Sequence, residues 1–336
     1  MTKRMGDLRM LSWEQIFDMI RNNYIPETIS PEAQKILKEV YEKKIYEYSC
    51  PAPEDTSGWI LLQKETEENY RAITEAVIEK NSVTLKEIKK GDVSVLEIQP
   101  EKIKDSSKVL VYIHGGAFTL FSARSTLNCS APMCHSTGLR TIAVDYTNSP
   151  QADWNTIQEQ VISVFKALLS EGYSMGNIYL FGDSAGGGIA ANSVIRLRDS
   201  NMGMPSAVVL MSPWIDLTER GDTFHTLADS DPVLVYNPML KNCAEAYADG
   251  LELNDPKVSA INADFSKGFP PVLITEGTKC IFLSSSVLFD RTLKYAGLES
   301  ELDLYEGMWH VFQQHDIPES RISLKKCAEF FEKHSA

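Results

Sequence analysis

Along the first eighty residues apolar positions recur at helical spacing, and from residue 82 onward the period changes to that of strands. Ser12, with Gln15 in the capping-box position, opens a helical segment running to about Asn22. Ser30-Pro31-Glu32 opens a second, with proline at the first helical position; Ile36, Leu37, Val40, Tyr41 and Ile45 follow helical spacing. A third covers roughly 65–80. The runs 83–88 and 93–97 then read as a strand hairpin turning at Lys90-Gly91-Asp92. Six short apolar runs follow, at 109–113, 141–144, 178–181, 207–211, 272–275 and 302–305, with helical patterns at 155–170, 185–199, 284–296 and 317–334.

Continuous apolar strands alternating with helices predict an α/β fold, a mostly parallel sheet covered on both faces. Residues 220–263 break the rhythm and read as an insertion that sits, with the N-terminal helices, over the carboxyl edge of the sheet. The expected division is 1–80 as an N-terminal helical part and 81–336 as the core carrying that insertion.

Composition narrows the function. A chain of 336 residues with 43% hydrophobic and 24% charged residues is long enough to bury a full α/β core. The net charge of -13 argues against nucleic acid, whose phosphates call for clustered Lys and Arg. No apolar run approaches the ~20 residues of a membrane span, and none follows the basic N-terminus as a secretory signal would require. The six cysteines show no metal-type spacing, so no metal is expected, and they read as reduced thiols in a cytoplasmic protein.

Gly182-Asp183-Ser184-Ala185-Gly186 lies between a predicted strand and a predicted helix. That is the setting a G-x-S-x-G nucleophile turn requires, with small residues flanking a serine raised above the sheet. The N–H of Ala185 is then placed to donate to an oxyanion. His114-Gly115-Gly116-Ala117-Phe118 follows another strand, and its glycines let consecutive backbone N–H groups face a developing negative charge. His114 itself reads as a loop-ordering hydrogen-bonder. His310 follows the last strand, in position to take the serine proton. His135, His225, His315 and His334 lack such a context. Phe118, Trp214 and Trp309 are candidates to line the pocket.

These motifs, with Asp145-Tyr146, Ser212-Pro213-Trp214-Ile215-Asp216-Leu217, Asp231-Pro232 and His310-Val311-Phe312 in the same order, make the chain from about Lys108 onward resemble the bacterial hormone-sensitive-lipase family of carboxylesterases. The resemblance implies an eight-stranded α/β-hydrolase core, a helical cap built from the N-terminus and the insertion, and cofactor-free hydrolysis of short-to-medium acyl esters. Carried over by position, Ser184 is the nucleophile and His310 the base, and Gly115, Gly116, Ala117 and Ala185 surround the oxyanion. Members often form dimers, so a homodimer is compatible with the resemblance, although no interface signature stands out.

Two departures bear on the chemistry. Where the family places its catalytic Asp or Glu, this chain has Cys280, within Gly277-Thr278-Lys279-Cys280-Ile281. A neutral thiol cannot stabilise an imidazolium as a carboxylate does, and losing the orienting acid can cost about 10⁴ in turnover. Four accounts stay open: Glu276 as surrogate acid, ionisation of Cys280 beside His310, an engineered substitution, or drift toward weak activity or binding alone. The second departure is Gln151 in place of the family's Glu, which removes a charge expected to order the oxyanion loop. Three functions follow: an ester or lactone hydrolase, a non-catalytic small-molecule binder on the same fold, and, more weakly, a peptidase.

Overall fold

A computed structural model describes residues 23–43 and 50–335. The helix expected at 12–22 lies outside them. Two N-terminal helices come first, α1 (Pro31–Lys43) and α2 (Thr56–Asn81), the second longer than its periodicity predicts. Asp55 caps α2 by accepting from the Gly58 N–H, and Ser82 ends it in a left-handed conformation that starts the first strand.

Eight strands form one sheet in the order β1-β2-β4-β3-β5-β6-β7-β8. β1 (Val83–Lys90) and β2 (Val93–Pro100) are the expected antiparallel hairpin, and β2 also runs antiparallel to β4 (Thr141–Val144). β3 (Val109–Ile113), β4, β5 (Ile178–Asp183), β6 (Val208–Met211), β7 (Val272–Gly277) and β8 (Ser300–Tyr305) are mutually parallel. The crossovers are helical: α3 (Leu127–Thr137), α4 (Trp154–Ser170), α5 (Ser184–Asp199), the short α6 (Thr223–Thr226), α7 (Lys241–Ala248), α8 (Leu283–Tyr295) and the terminal α9 (Pro318–Lys333).

Strand alternation divides the core. In β3, Val109, Val111 and Ile113 join one buried cluster with residues of α4, α5 and α8, while Leu110 and Tyr112 join another under α3 and α9. The periodicity of the sequence does not predict α3. It mixes small polar and apolar residues, carries Pro132 in its interior and is buried on most sides, so no amphipathic stripe marks it.

Residues 212–271 lie between β6 and β7. They meet the N-terminal segment where Tyr41 OH donates to Ser230 O (2.9 Å) and Asn242 Nδ2 to Pro51 O (2.9 Å). α1 reaches the loop that leaves β7 and its start reaches α9: Lys279 Nζ lies 3.2 Å from Tyr41 OH, and Ser30 bonds to Glu319 through its N–H and hydroxyl (2.7 and 2.8 Å). α2 begins above the sheet edge and ends beside the core, where Val77 and Ile78 pack on the α3 side.

Candidate active site

In this sheet β3 lies between β4 and β5, so the chain leaves β3 toward opposite sides and opens a crevice at the carboxyl ends of β3 and β5. Both Gly-rich motifs end there. Ser184 stands at the turn from β5 into α5 with φ +52°, a strained value for a residue with a side chain, and it sits at the positive end of the helix. Gly186 makes the turn sterically feasible. A Cβ there would lie 2.1 Å from Ile113 O and 2.4 Å from His114 O, both backbone atoms with nowhere to move.

The loop after β3 carries three successive positive φ values, at Gly116 (+108°), Ala117 (+52°) and Phe118 (+67°). Among the described residues the N–H groups of Gly116 and Ala117 donate to no protein acceptor. The Ala185 N–H, in the first turn of α5, is likewise free of an intrahelical partner. The Gly115 N–H, by contrast, donates to Asp183 Oδ1 (3.1 Å) and braces the loop. Asp183 also accepts from Tyr112 OH (2.6 Å), and burial pushes its carboxyl up to about 6. His114 orders the loop as expected. Its Nδ1 lies 2.7 Å from Gly115 O and its ring stacks on Tyr146 at 4.0 Å.

Gln151 does not leave the loop unbraced. Its amide and that of Gln63 from α2 bond reciprocally (2.7 and 3.1 Å), and Gln63 Nε2 also reaches Thr119 O and Ser149 O. A pair of amides thus replaces the expected ionic contact. Gln63 has no signature in the sequence, because its partners lie far along the chain.

His310 is buried with its Nε2 2.9 Å from Ser184 Oγ and its Nδ1 3.4 Å from Cys280 Sγ. The loops after β7 and β8 hold it. Lys279 N donates to Met308 O (2.9 Å), Gly307 N to Thr278 Oγ1 (2.8 Å) and Val311 N to Ser212 Oγ (3.1 Å). Phe282 packs edge-on to the imidazole at 5.2 Å. Burial drives the His310 pKa down to about 3, so the ring is neutral at pH 7.

Ionisation of Cys280 does not fit these surroundings. Burial first, then the nearby charges of Glu276 and Asp231, push the thiol well above its ordinary range. Glu276 is the carboxyl behind it. Its Oε1 accepts from Gly277 N (3.0 Å) and its Oε2 from Ser286 Oγ (2.9 Å), while the Cys280 thiol also lies within its hydrogen-bonding reach. Burial raises this carboxyl to about 7. Asp231 ties the insertion to the same loop: its Oδ2 accepts from Ile281 N (2.8 Å) and its Oδ1 from Val233 N and Leu234 N.

Of the three lining candidates, two pack on each other near the serine turn, both buried. Trp214 N donates to Ser184 O (2.8 Å), and Phe118 packs on both Trp214 and Tyr247. Trp309 belongs elsewhere, in a cluster with Ile29, Leu37 and Phe312 under α1. Among the described residues no group of three or more His, Cys, Asp or Glu could hold a metal ion, and no helix is long and apolar enough to cross a membrane.

Residues 110–314 match a family model described as the alpha/beta hydrolase fold. An esterase of Acinetobacter venetianus is 30% identical over 238 residues, covering 69% of this chain and 78% of that protein. Among solved structures, an esterase E25 superposes with a TM-score of 0.84 at 25% identity, covering 93% of this chain and 96% of its own. An esterase from the bacterial hormone-sensitive lipase family superposes with a TM-score of 0.80 at 24% identity, covering 91% and 99%, a likeness of fold.

Proposed function

Because this chain belongs to the alpha/beta hydrolase fold family, we propose that it is a carboxylic ester hydrolase that works through an acyl-enzyme on Ser184. The observation that carries this reading is the 2.9 Å contact between His310 Nε2 and Ser184 Oγ, beside backbone amides that have no protein acceptor. A neutral imidazole with Nδ1–H directed at Cys280 Sγ keeps the Nε2 lone pair for the serine proton.

His310 takes that proton as Oγ attacks the ester carbonyl carbon. The N–H groups of Gly116, Ala117 and Ala185 receive the oxyanion, each such donor being worth roughly 3 kcal/mol in the transition state. Collapse expels the alcohol, which leaves with the proton from His310. Water then repeats the sequence on the acyl-enzyme and releases the acid. Short-to-medium acyl esters are the expected substrates, and lactones are attacked by the same steps because they are cyclic esters. The acyl group is expected against Phe118 and Trp214, under a cap formed by the N-terminal helices and residues 220–263.

Cys280 holds the ring in the correct tautomer without charging it. The nearest negative charge available to the imidazolium is that of Glu276, one thiol away. The outcome is a dyad that keeps its orientation and loses most of its electrostatic support.

Two assays test this. A fluorophosphonate probe should label Ser184, and p-nitrophenyl butyrate should be hydrolysed at a rate that falls by three orders of magnitude or more in Ser184→Ala. Equal hydrolysis by the wild type and the variant would end the proposal. A second reading rests on Cys280: with its acid missing, the fold would serve as a small-molecule binder. Folded protein that resists the probe and hydrolyses no ester would favour that reading.

A further inference from the structure

A second pair of side chains lies outside the chemistry described so far. Of the six cysteines, Cys50 alone is partly exposed; Cys129, Cys134, Cys243, Cys280 and Cys327 are buried. The segment at Cys50 and Pro51 runs along the start of α7. Cys50 Sγ reaches Met239 O (3.6 Å), and the Asn242 side chain donates to Pro51 O (2.9 Å). Cys243 follows Met239 by four positions and adjoins Asn242 in the first turn of α7. Contacts at Met239 and Asn242 thus seat Cys50 on the turn that carries Cys243, and the two thiols are neighbours.

We propose that Cys50 and Cys243 are a peroxide-reactive thiol pair that closes to an intramolecular disulfide, tying the segment before α2 to α7. The pair is chemically unequal. The neighbouring Cys243 thiol holds the Cys50 thiol below its ordinary range, with burial opposing it only in part. The Cys50 thiol, and then burial, raise Cys243 well above its ordinary range. A partly exposed thiol that ionises more readily, beside a buried partner, is the arrangement of an attacking and a resolving cysteine.

In the first step the Cys50 thiolate attacks a hydroperoxide oxygen. The O–O bond breaks, the alcohol (water, from hydrogen peroxide) leaves with a proton, and Cys50 becomes a sulfenic acid. In the second, the Cys243 sulfur attacks the Cys50 sulfur, the S–O bond breaks and water leaves. Two thiols and one hydroperoxide thus give a disulfide, an alcohol and water. The bridge would lie one hydrogen bond from the oxyanion loop, since Thr119 Oγ1 lies 3.4 Å from Cys243 Sγ.

The test uses the full chain, reduced, freed of reductant and treated with one equivalent of hydrogen peroxide. Remaining thiols are blocked with N-ethylmaleimide, and the unreduced digest is read by mass spectrometry. The expected product joins the peptides of Cys50 and Cys243 with loss of two hydrogens, disappears on addition of dithiothreitol, and falls to background in Cys50→Ser and Cys243→Ser. Cys243→Ser should instead accumulate a sulfenic acid on Cys50 that dimedone traps. Wild-type protein that keeps six blocked thiols, or that cross-links other cysteines, would overturn the proposal, as would over-oxidation of Cys50 without a bridge.

Discussion

The two halves of the active site are built by different means. On the nucleophile side, Ser184, the loop at 115–118 and the start of α5 are placed by backbone sterics: positive φ angles, close glycine contacts and buried amides. On the acid side, Cys280, Glu276 and His310 are placed by side-chain contacts between two loops, and the charge that should face the imidazole is set one residue farther back. The first half is complete although its contacts are very tight. In the mechanism proposed above, the second keeps its geometry without a charge against the ring. Position and charge are therefore separable here, because the thiol fills the place of the carboxylate and still accepts from the ring.

Restoring the charge should produce the largest change. Cys280→Asp puts a carboxylate within reach of His310 Nδ1 and is expected to raise kcat on p-nitrophenyl butyrate at least about tenfold, with about 10⁴ as the ceiling set by a missing acid. An anion beside the ring also stabilises the imidazolium, so the acid limb of the rate profile should move up from the depressed range that burial imposes toward the ordinary histidine range. An unchanged kcat with an unmoved acid limb would mean that Glu276 already acts through the thiol, and the contrast between the halves would collapse.

The steric half is tested by Gly186→Ala. The new methyl has only backbone oxygens of Ile113 and His114 to displace, so the turn must open or the strand must shift. Stability should fall by about 3 kcal/mol or more, read from urea unfolding. A variant of wild-type stability would show that the elbow relaxes easily and that its strain is not what places Ser184.

This division also explains what could be read from the chain beforehand. Glycines and apolar runs report steric demands locally, so the strands, the hairpin and the serine turn are legible from a few adjacent residues. Hydrogen bonds between distant segments leave no such trace. Gln63 braces the oxyanion loop from α2, and nothing in its neighbourhood marks it. Gly115 sits in the motif of an amide donor yet gives its N–H to Asp183, a choice made by the close approach of β3 and β5. The helix α3 is hidden because burial on most sides erases the polar face that periodicity detects. Cys280 was visible as a departure, but the roles of Ser286 and Gly277 in holding Glu276 behind it needed the fold.

Glu276 supplies the finest test, because its carboxyl is fully buried and raised from an ordinary 4.5 to about 7, chiefly by desolvation. A carboxyl raised on folding binds its proton more tightly in the folded chain. Its contribution to stability is full below pH 4.5 and is lost as the pH rises through 7. The loss amounts to about 3 kcal/mol for a shift of this size. Asp183 and Asp231, also raised by burial, add slopes of the same sign at lower pH, and His310 adds the opposite slope below its ordinary range; all three are common to the wild type and the variant. Glu276→Gln removes one ionisation only. Between pH 5 and pH 8 the variant should therefore lose about 2.5 kcal/mol less stability than the wild type in urea titrations. Matching slopes would mean that Glu276 is already ionised at pH 5 in the folded protein. Its charge would then stand behind Cys280 throughout the working range, and the acid side would be no weaker electrostatically than the side that holds the serine.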